Sequence, residues 1–343
     1  MILCYAGLFA ILAMVLVLPF LIKKIEQELE LFLFLMGCAA VTVSAQWNAH
    51  LIKEALLEPV KITLAVLVAG FLFQRLQASI AGHVERISRT IGIKAFAFLM
   101  IAGLGFLSSV ITAIIASLIL AEVIHYLKVE RKTEIKLVIL ACFSIGFGAA
   151  LTPIGEPLST IAIAKLKGQP YEADFFFLAK HLGQYILSGV LIFGLLGMIV
   201  SPAHYQKGTG LREDKREGAK DIFIRTGKVY LFIMALIFLG SGFKPIIDAF
   251  ISKVPYRGLY WINMISAVLD NATLAAAEIG PALGILQIKA ALLGLLISGG
   301  MLIPGNIPNI ISAGKLKIKS SEWAAFGVPL GLIVMTIYFF LLK

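Results

Sequence analysis

The chain has 343 residues, of which 59% are hydrophobic and 15% are charged. A soluble domain carries roughly 25% charged residues, so this composition excludes an ordinary soluble protein. The net charge is +10, but the basic residues stand between apolar runs, where the positive-inside rule places them, and no nucleic-acid partner is indicated. We therefore predict an all-α, multi-pass protein of the cell (inner) membrane, surrounded by the lipid bilayer.

The first two apolar runs, 2–22 and 31–46, each predict a membrane span. Lys23 and Lys24 follow the first run. Because positive residues stay in the cytoplasm, they place the N-terminus outside.

Trp47 to Pro59 is expected to form a loop at the membrane interface, and residues 60–74 a third span. Residues 75–94 carry basic side chains at helical spacing, which predicts an amphipathic helix on the cytoplasmic surface.

The next apolar stretch, 95–127, has 33 residues. This is too long for one span and too short for two spans with a loop. Basic residues flank both of its ends, so we predict a re-entrant hairpin with its tip near residues 108–112.

A span over 135–166 is interrupted at Leu151–Pro157, which reads L-T-P-I-G-E-P. Pro153 and Pro157 lack the N–H that an intact helix needs, so the helix must break. A break at membrane depth is tolerated only where it is buried in protein or lines a watery cavity.

The second half of the chain repeats this order. After a span over 173–200 and a cytoplasmic linker over 201–225, we predict a span, a hairpin, a broken span and a last span, at 226–243, 258–279, 288–314 and 323–342. The expected division is N-terminal scaffold spans, first repeat, linker and second repeat, at 1–59, 60–200, 201–225 and 226–343.

The repeat is visible in the letters. F-L-S-S-V-I-T-A at 106–113 matches M-I-S-A-V-L-D-N at 264–271, and L-T-P-I-G-E-P at 151–157 matches L-I-P-G-N-I-P at 302–308. Each copy has an odd number of crossings, so the second copy is inverted. The predicted fold is an inverted-topology repeat with two re-entrant hairpins, two broken helices and eight full spans.

Asp270 and Asn271 stand at the predicted tip of the second hairpin, with Thr273 close behind. A carboxylate at membrane depth is costly and indicates a functional site. Their side-chain oxygens, with Ser266 and the free carbonyls of a hairpin tip, suit a partly dehydrated Na⁺. The alternative is that the Asp-Asn pair only caps a helix.

Glu156 lies in the first break, where apolar surroundings favour binding of a proton or a cation. The alternative is an acid near the outer water surface, paired with Lys165 or Lys167. Asn306 and Asn309 flank Pro308 in the second break; they can coordinate an ion or satisfy the backbone that the prolines free.

Ser108, Ser109 and Thr112 mark the first hairpin tip, and Thr112 occupies the place of Asp270. Their hydroxyls can ligate Na⁺ or bond back to helix carbonyls. Glu122, on the second arm, could relay protons, although residues at such positions are more often solvated.

These features resemble the ion transporter superfamily, which contains the arsenite permeases, the D-type sodium/proton antiporters and the dicarboxylate and citrate symporters. The resemblance covers nearly the whole chain after residue 60. Its motifs are S-S-V-I-T (108–112), T-P-I-G-E-P (152–157), S-A-V-L-D-N-A-T (266–273) and P-G-N-I-P-N (304–309).

The resemblance implies two ion sites. The first would consist of Ser108, Ser109 and Thr112 with Thr152, Pro153 and Gly155. The second would consist of Ser266, Asp270, Asn271 and Thr273 with Pro304, Gly305 and Asn306. It also implies a homodimer and an elevator-like motion.

The chain departs from the family in its length, which is shorter than that of most members, and in its hairpin motifs. The Ser-Asn-Thr triplets of the dicarboxylate members are absent, and Asp270-Asn271 is nearer to the Asp-Asn pair of the sodium/proton antiporters. The chain looks closest to a small branch described as cation transporters.

We therefore predict a secondary transporter that exchanges a cation, Na⁺, for protons and needs no other cofactor. The alternative is a Na⁺-coupled symporter of a small organic or inorganic anion. A passive channel is a further alternative. An enzyme is not expected, because no nucleophile, base or metal constellation is found at membrane depth.

Overall fold

The structure, a computed structural model, describes residues 2–22, 24–25, 28–127, 129–202, 219–250, 254–269 and 271–342. Within these ranges the chain is helical and contains no β-strand, which confirms the predicted all-α class.

The described helices of the first part are α1 (Ile2–Leu21), α2 (Leu29–Val43), α3 (Ala49–Ile91), α4 (Ile93–Ile111), α5 (Ala113–Leu127), α6 (Arg131–Ala149), α7 (Pro157–Lys165) and α8 (Phe177–Val200). Those of the second part are α9 (Ala219–Phe250), α10 (Tyr256–Ile262), α11 (Asn271–Glu278), α12 (Ile285–Gly299), α13 (Ile307–Leu316) and α14 (Ser320–Leu341). Short 3-10 segments cover Asn263–Ala267 and Ile303–Gly305.

Five of the described helices are long and apolar enough to cross a membrane. They are α4, α8, α14, the Ala49–Leu72 part of α3 and the Ala219–Ile246 part of α9. A span needs about 20 apolar residues, so the chain is a helical membrane protein with several spans. The number of eight full spans stays a prediction.

The predicted interfacial loop from Trp47 to Pro59 is wrong. Asn48 Oδ1 accepts the backbone N–H of Leu51 at 2.9 Å and caps α3, and the helix runs through Pro59 to Ile91. A proline inside a membrane helix is tolerated when its surroundings satisfy the freed carbonyl. With 43 residues, α3 is about 65 Å long, and it includes both the predicted third span and the predicted amphipathic helix.

Helix boundaries agree with the predicted hairpins and breaks. The helices α4 and α5 occupy the first predicted hairpin and meet at Thr112, and α10 and α11 occupy the second. The first broken span is interrupted between Ala149 and Pro157, and the second between Gly299 and Ile307. That the hairpins are re-entrant stays a prediction.

The predicted linker over 201–225 is partly helical, because α9 begins at Ala219. Residues 203–218 lie outside the described part.

The two helices that precede the breaks form the centre of the molecule. Every residue from Leu137 to Ala150 is buried, as is every residue from Ala290 to Asn306. A helix that is apolar on all sides is stable only when other helices surround it. Around α6 pack α4 and α8, and around α12 pack α10 and α14; α5 packs on α13, and α11 packs on α7. The second break therefore lies in the protein interior, whereas the first is buried at Gly155 and Glu156 and reaches the surface at Ile154.

Candidate ion-binding site

The tip of the first hairpin is Thr112, between α4 and α5. Its φ angle of 74° is one that a β-branched residue rarely adopts. The next N–H, of Ala113, donates to the Gly155 carbonyl at 2.8 Å, and Thr152 Oγ1 donates to the Ser109 carbonyl at 2.5 Å. The hairpin tip and the first break, predicted to form one site, are thus in direct contact.

The hydroxyls at this tip are bonded to the backbone. Ser108 Oγ is 2.9 Å from the Ile145 carbonyl of α6, and Ser109 Oγ donates at 2.7 Å to the carbonyl three residues earlier. Thr112 Oγ1 accepts the N–H three residues later at 3.4 Å. In this conformation they follow the alternative interpretation, in which hydroxyls satisfy helix carbonyls; ion binding by them stays a prediction.

The first break is tightly packed. Glu156 is buried, with 5% of its surface exposed, and stands at the N-cap of α7 without capping it. A Cβ added to Gly155 would lie 2.0 Å from the Ala149 carbonyl oxygen, so only glycine fits there. Thr160 Oγ1 donates to the Pro153 carbonyl at 2.6 Å, which satisfies one of the backbone groups that the break frees.

The second hairpin contributes fewer described side chains. Asp270 lies outside the described residues, and so does the side chain of Thr273. Ser266 Oγ is 3.4 Å from the Leu295 carbonyl of α12. Asn271 begins α11 and is 2% exposed; its Nδ2 has no hydrogen-bond partner among the described residues.

In the second break the two asparagines satisfy the backbone. Asn309 Nδ2 donates to the carbonyls of Gly299 and Leu302, each at 2.8 Å. Asn306 is the N-cap of α13, and its Oδ1 accepts the N–H of Ile307 at 2.8 Å. This is the structural role that the sequence left open for them.

Hairpin and break converge at Gly299, the last residue of α12. A Cβ built there would lie 3.1 Å from the Gly305 carbonyl oxygen and 3.6 Å from both Asn271 Nδ2 and Ser266 Oγ. A hydroxyl, an amide and a carbonyl from three segments therefore surround one point.

The second break also touches the helix that forms the first break. Asn306 Nδ2 lies 3.0 Å from the position that a Cβ on Gly146 would take. Cys142, one turn earlier in α6, has its Sγ 3.6 Å from the Pro308 carbonyl. The second break thus packs directly against α6, the helix that ends at the first break.

A model of the family described as "Protein of unknown function (DUF1646)" matches residues 5–343. The chain belongs to the DUF1646 family. The match takes in both helix pairs and both breaks, so the whole arrangement described above lies within DUF1646. No curated protein matches the sequence.

This DUF1646 chain also contains a buried ion pair. Glu122 of α5 is paired with Lys315 of α13, and their side chains are only 8% and 10% exposed. The hydroxyl of Tyr126 donates to Glu122 Oε1 at 3.2 Å. The expectation that Glu122 is solvated at a helix end is therefore wrong, because α13 covers it.

Two further polar side chains of the DUF1646 fold escaped the sequence analysis. Trp323 Nε1 donates to the Gly300 carbonyl in the second break at 3.1 Å, and Asn263 Nδ2 donates to Glu278 Oε2 at 2.8 Å. Asn263 stands three residues before Ser266 in an apolar stretch. This spacing places the two polar side chains on one helix face, which could have indicated that Asn263 belongs to the same polar cluster as Ser266.

The side chains that most often bind metal ions do not cluster in the described part of the chain. Among the described residues no three His, Cys, Asp or Glu side chains come together. Asp270 lies outside that set. The polar atoms around Gly299 are instead a hydroxyl, an amide and a carbonyl.

Proposed function

We propose that this protein is a secondary active transporter of the cell membrane that exchanges a cation, Na⁺, for protons. The contact between each hairpin and the break of the following helix supports this proposal. Breaks free backbone carbonyls and half-helix ends, which can hold a partly dehydrated ion. The second break and the Gly155–Glu156 part of the first are buried, and irregular backbone there needs such a reason.

The two hairpin–break units belong to an inverted repeat. The hydrogen bond of Ser108 to Ile145 in the first unit has a counterpart in that of Ser266 to Leu295 in the second. Ser266 lies 158 residues after Ser108, and Leu295 lies 150 residues after Ile145. A repeat with three crossings and one hairpin places the second hairpin on the opposite side of the membrane.

This register refines the comparison of the two breaks. The letters alone pair Glu156 with Ile307 at a spacing of 151, whereas a spacing of 150 pairs Glu156 with Asn306. Both are N-caps with extended backbone, at φ −154° and −156°. An acid in one repeat thus stands where an amide stands in the other, and the two breaks are chemically unequal.

The exchange uses these acids. Asp270, with the Ser266 hydroxyl, the side-chain oxygen of Asn271 and the Gly305 carbonyl, binds the cation, while Glu156 takes up the proton. Buried carboxylates are stable only when an ion or a proton neutralises them. Competition of Na⁺ and H⁺ for carboxylates in one buried centre couples the two fluxes.

The transport cycle follows from this architecture. The hairpins and broken helices move as a core against a scaffold built from the remaining spans, so that the site opens to each side in turn. We place the N-terminus outside and expect a homodimer, in line with the resemblance to the ion transporter superfamily.

One observation favours the alternative, a Na⁺-coupled symporter of a small anion. The buried N–H donor of Asn271 Nδ2 has no acceptor among the described residues. A donor suits an anion, and the N-termini of α7 and α13 would attract the same charge.

Proteoliposomes with an internal pH dye test the proposal. Addition of Na⁺, Li⁺ or K⁺ outside is expected to raise the internal pH as protons leave in exchange, and Asp270→Asn is expected to abolish the response. The matched control is Asp174→Asn, an exposed position between α7 and α8, which is expected to behave as wild type.

Other outcomes point elsewhere. Na⁺-dependent uptake of a labelled anion without a pH change would replace antiport with symport. Flux that ignores the counter-ion gradient would indicate a channel. An unchanged response in Asp270→Asn would overturn the assignment of the site.

A further inference from the structure

The second hairpin contains a buried carboxyl group away from its tip. Glu278, the last residue of α11, is 7% exposed. Its Oε2 accepts a hydrogen bond from Asn263 Nδ2 at 2.8 Å. Asn263 is fully buried and also donates to the Ala291 carbonyl of α12 at 3.1 Å. Both amide hydrogens are thus used, which fixes the orientation of the amide.

Two oxygens of this pair have no donor. Glu278 Oε1 and Asn263 Oδ1 are buried and have no hydrogen-bond partner among the described residues. An unsatisfied buried polar atom carries a desolvation cost, and the cost is larger when the group is charged. The pair is therefore poorly suited to a permanently ionised carboxylate.

No described cation neutralises Glu278. Helix α11 packs on α7, α9 and α12 and follows α10 in the same hairpin. The titratable side chains that the sequence gives these helices are Lys165, Lys220, Asp221, Arg225, Lys228, Tyr230, Lys244, Asp248, Tyr256, Arg257, Tyr260 and Lys289. Within the described part of the chain, Glu278 forms no ion pair with any of them, and Asn263 is its hydrogen-bond partner. The contrast is Glu122, which is equally buried but paired with Lys315.

We propose that Glu278 is a proton-binding site that loads and releases one H⁺. Protonation of Oε1 removes the buried charge and leaves Oε2 free to keep its bond from Asn263. A metal cation fits less well, because hard cations require several oxygen ligands, and this pair offers two oxygens without a donor.

The position of Glu278 connects it to the proposed cation site. Glu278 lies seven positions after Asn271 in α11, about 10 Å along the helix. A proton at Glu278 therefore lies on the same short helix as the proposed cation site. Its role in coupling rests on the proposed function, but proton binding itself does not.

Infrared spectroscopy of the purified full-length protein tests binding directly. Wild type is expected to show the C=O band of a protonated carboxyl group that disappears as the pH is raised. Glu278→Gln should lose the component of this band that Glu278 contributes, while any component from Glu156 remains; glutamine has nearly the same shape and can still accept from Asn263. Glu172→Gln, at an exposed loop position, should retain it. An identical titrating band in Glu278→Gln would overturn the proposal.

Two additions keep the test decisive. Glu278→Asp retains a carboxyl group, so the band should remain but shift in frequency; an unshifted band would contradict the assignment even if Glu278→Gln does not fold. Loss of Na⁺ binding in Glu278→Gln, measured by calorimetry, with an unchanged carboxyl band would make Glu278 a cation ligand instead.

A transport assay distinguishes proton binding by Glu278 from the proposed function. In proteoliposomes, Glu278→Gln should reduce Na⁺-driven proton movement at least tenfold and leave tracer Na⁺/Na⁺ exchange within about twofold of wild type. A parallel loss of both would contradict a specific role in proton coupling. If wild type transports nothing, the proposed function fails, while the infrared result still decides whether Glu278 binds a proton.

Discussion

Glycine at the two breaks shows how individual residues determine the site. A Cβ on Gly155 would meet the Ala149 carbonyl oxygen at 2.0 Å, and one on Gly305 would meet the Gly299 carbonyl oxygen at 2.5 Å. In each case the obstacle is backbone, which cannot move aside as a side chain can. The chain therefore turns back against the end of its own helix only because no side chain intervenes.

Gly155→Ala should destabilise the protein by about 1–3 kcal/mol, the usual cost of overpacking a buried site. The measurement is the free energy of unfolding in mixed micelles. Gly103→Ala is the control, since Gly103 is helical and has nothing within 4 Å of its added Cβ. That change should stabilise by about 0.5–1 kcal/mol. Equal effects of both substitutions would show that the close approach at Gly155 is not real.

The polar residues at the breaks have two interpretations, and their hydrogen bonds explain why. Asn309 and Ser108 are bonded to carbonyls in and beside the breaks. Those carbonyls need a partner whether or not an ion is bound. A polar residue at a break therefore has a structural role in one conformation and can gain a ligand role only when its bonds change.

At the scale of elements, the ion pair of Glu122 and Lys315 joins the second arm of one hairpin unit to the half-helix of the other. Removal of one partner leaves a buried charge, which costs far more than loss of an exposed pair. The pair therefore fixes α5 against α13 at one end of the core.

Lys315→Met should destabilise the protein by roughly 3–5 kcal/mol, as expected for an uncompensated buried charge. The double change Glu122→Gln with Lys315→Met should recover most of that loss. Unfolding in mixed micelles measures both. Lys228→Met is the control: Lys228 is 37% exposed and pairs with Glu28 and Glu30, which are 58% and 20% exposed, so water screens both pairs and the expected effect is about 1 kcal/mol or less. Similar losses for Lys315→Met and Lys228→Met would contradict the burial of the pair.

Many of the helix starts and breaks could be predicted from local sequence. Proline lacks the N–H that a helix hydrogen bond needs, so Pro153 and Pro157 indicated the first break. The same rule failed at Pro59, where α3 continues. Asn48, the cap of α3, was the signal for the true helix start. The partner of Glu122 could not be predicted, because Lys315 is 193 residues away and only the packing of α5 on α13 brings them together.

Part of the candidate site could also be predicted from the sequence. The hairpin tip at Thr112 and the break at Gly155 were expected to meet, and the bond from Ala113 to Gly155 joins them. The pairing of Asn263 with Glu278 depends on how the second hairpin folds back on itself. Their separation of 15 residues corresponds to no helical or strand period, so the sequence alone could not reveal it.

At the scale of the whole molecule, the proposed transporter requires the two hairpins to enter from opposite sides of the membrane. The basic residues before α4 predict that this segment lies in the cytoplasm, and the inversion of the repeat then predicts that the segment before α10 lies outside. Lys94 and Arg257 stand in the first turns of these two helices and are both exposed. Each is the second residue of the first helix of its hairpin, so the two positions report directly on the inversion of the repeat.

Labelling of single cysteines with a membrane-impermeant thiol reagent is the most direct test. The three native cysteines, Cys4, Cys38 and Cys142, are first replaced, and Lys94→Cys and Arg257→Cys are introduced separately. If the repeat is inverted, Lys94→Cys reacts only in inside-out vesicles and Arg257→Cys only in right-side-out vesicles. Reaction of both from the same side would contradict the inverted repeat on which the proposed transport site depends.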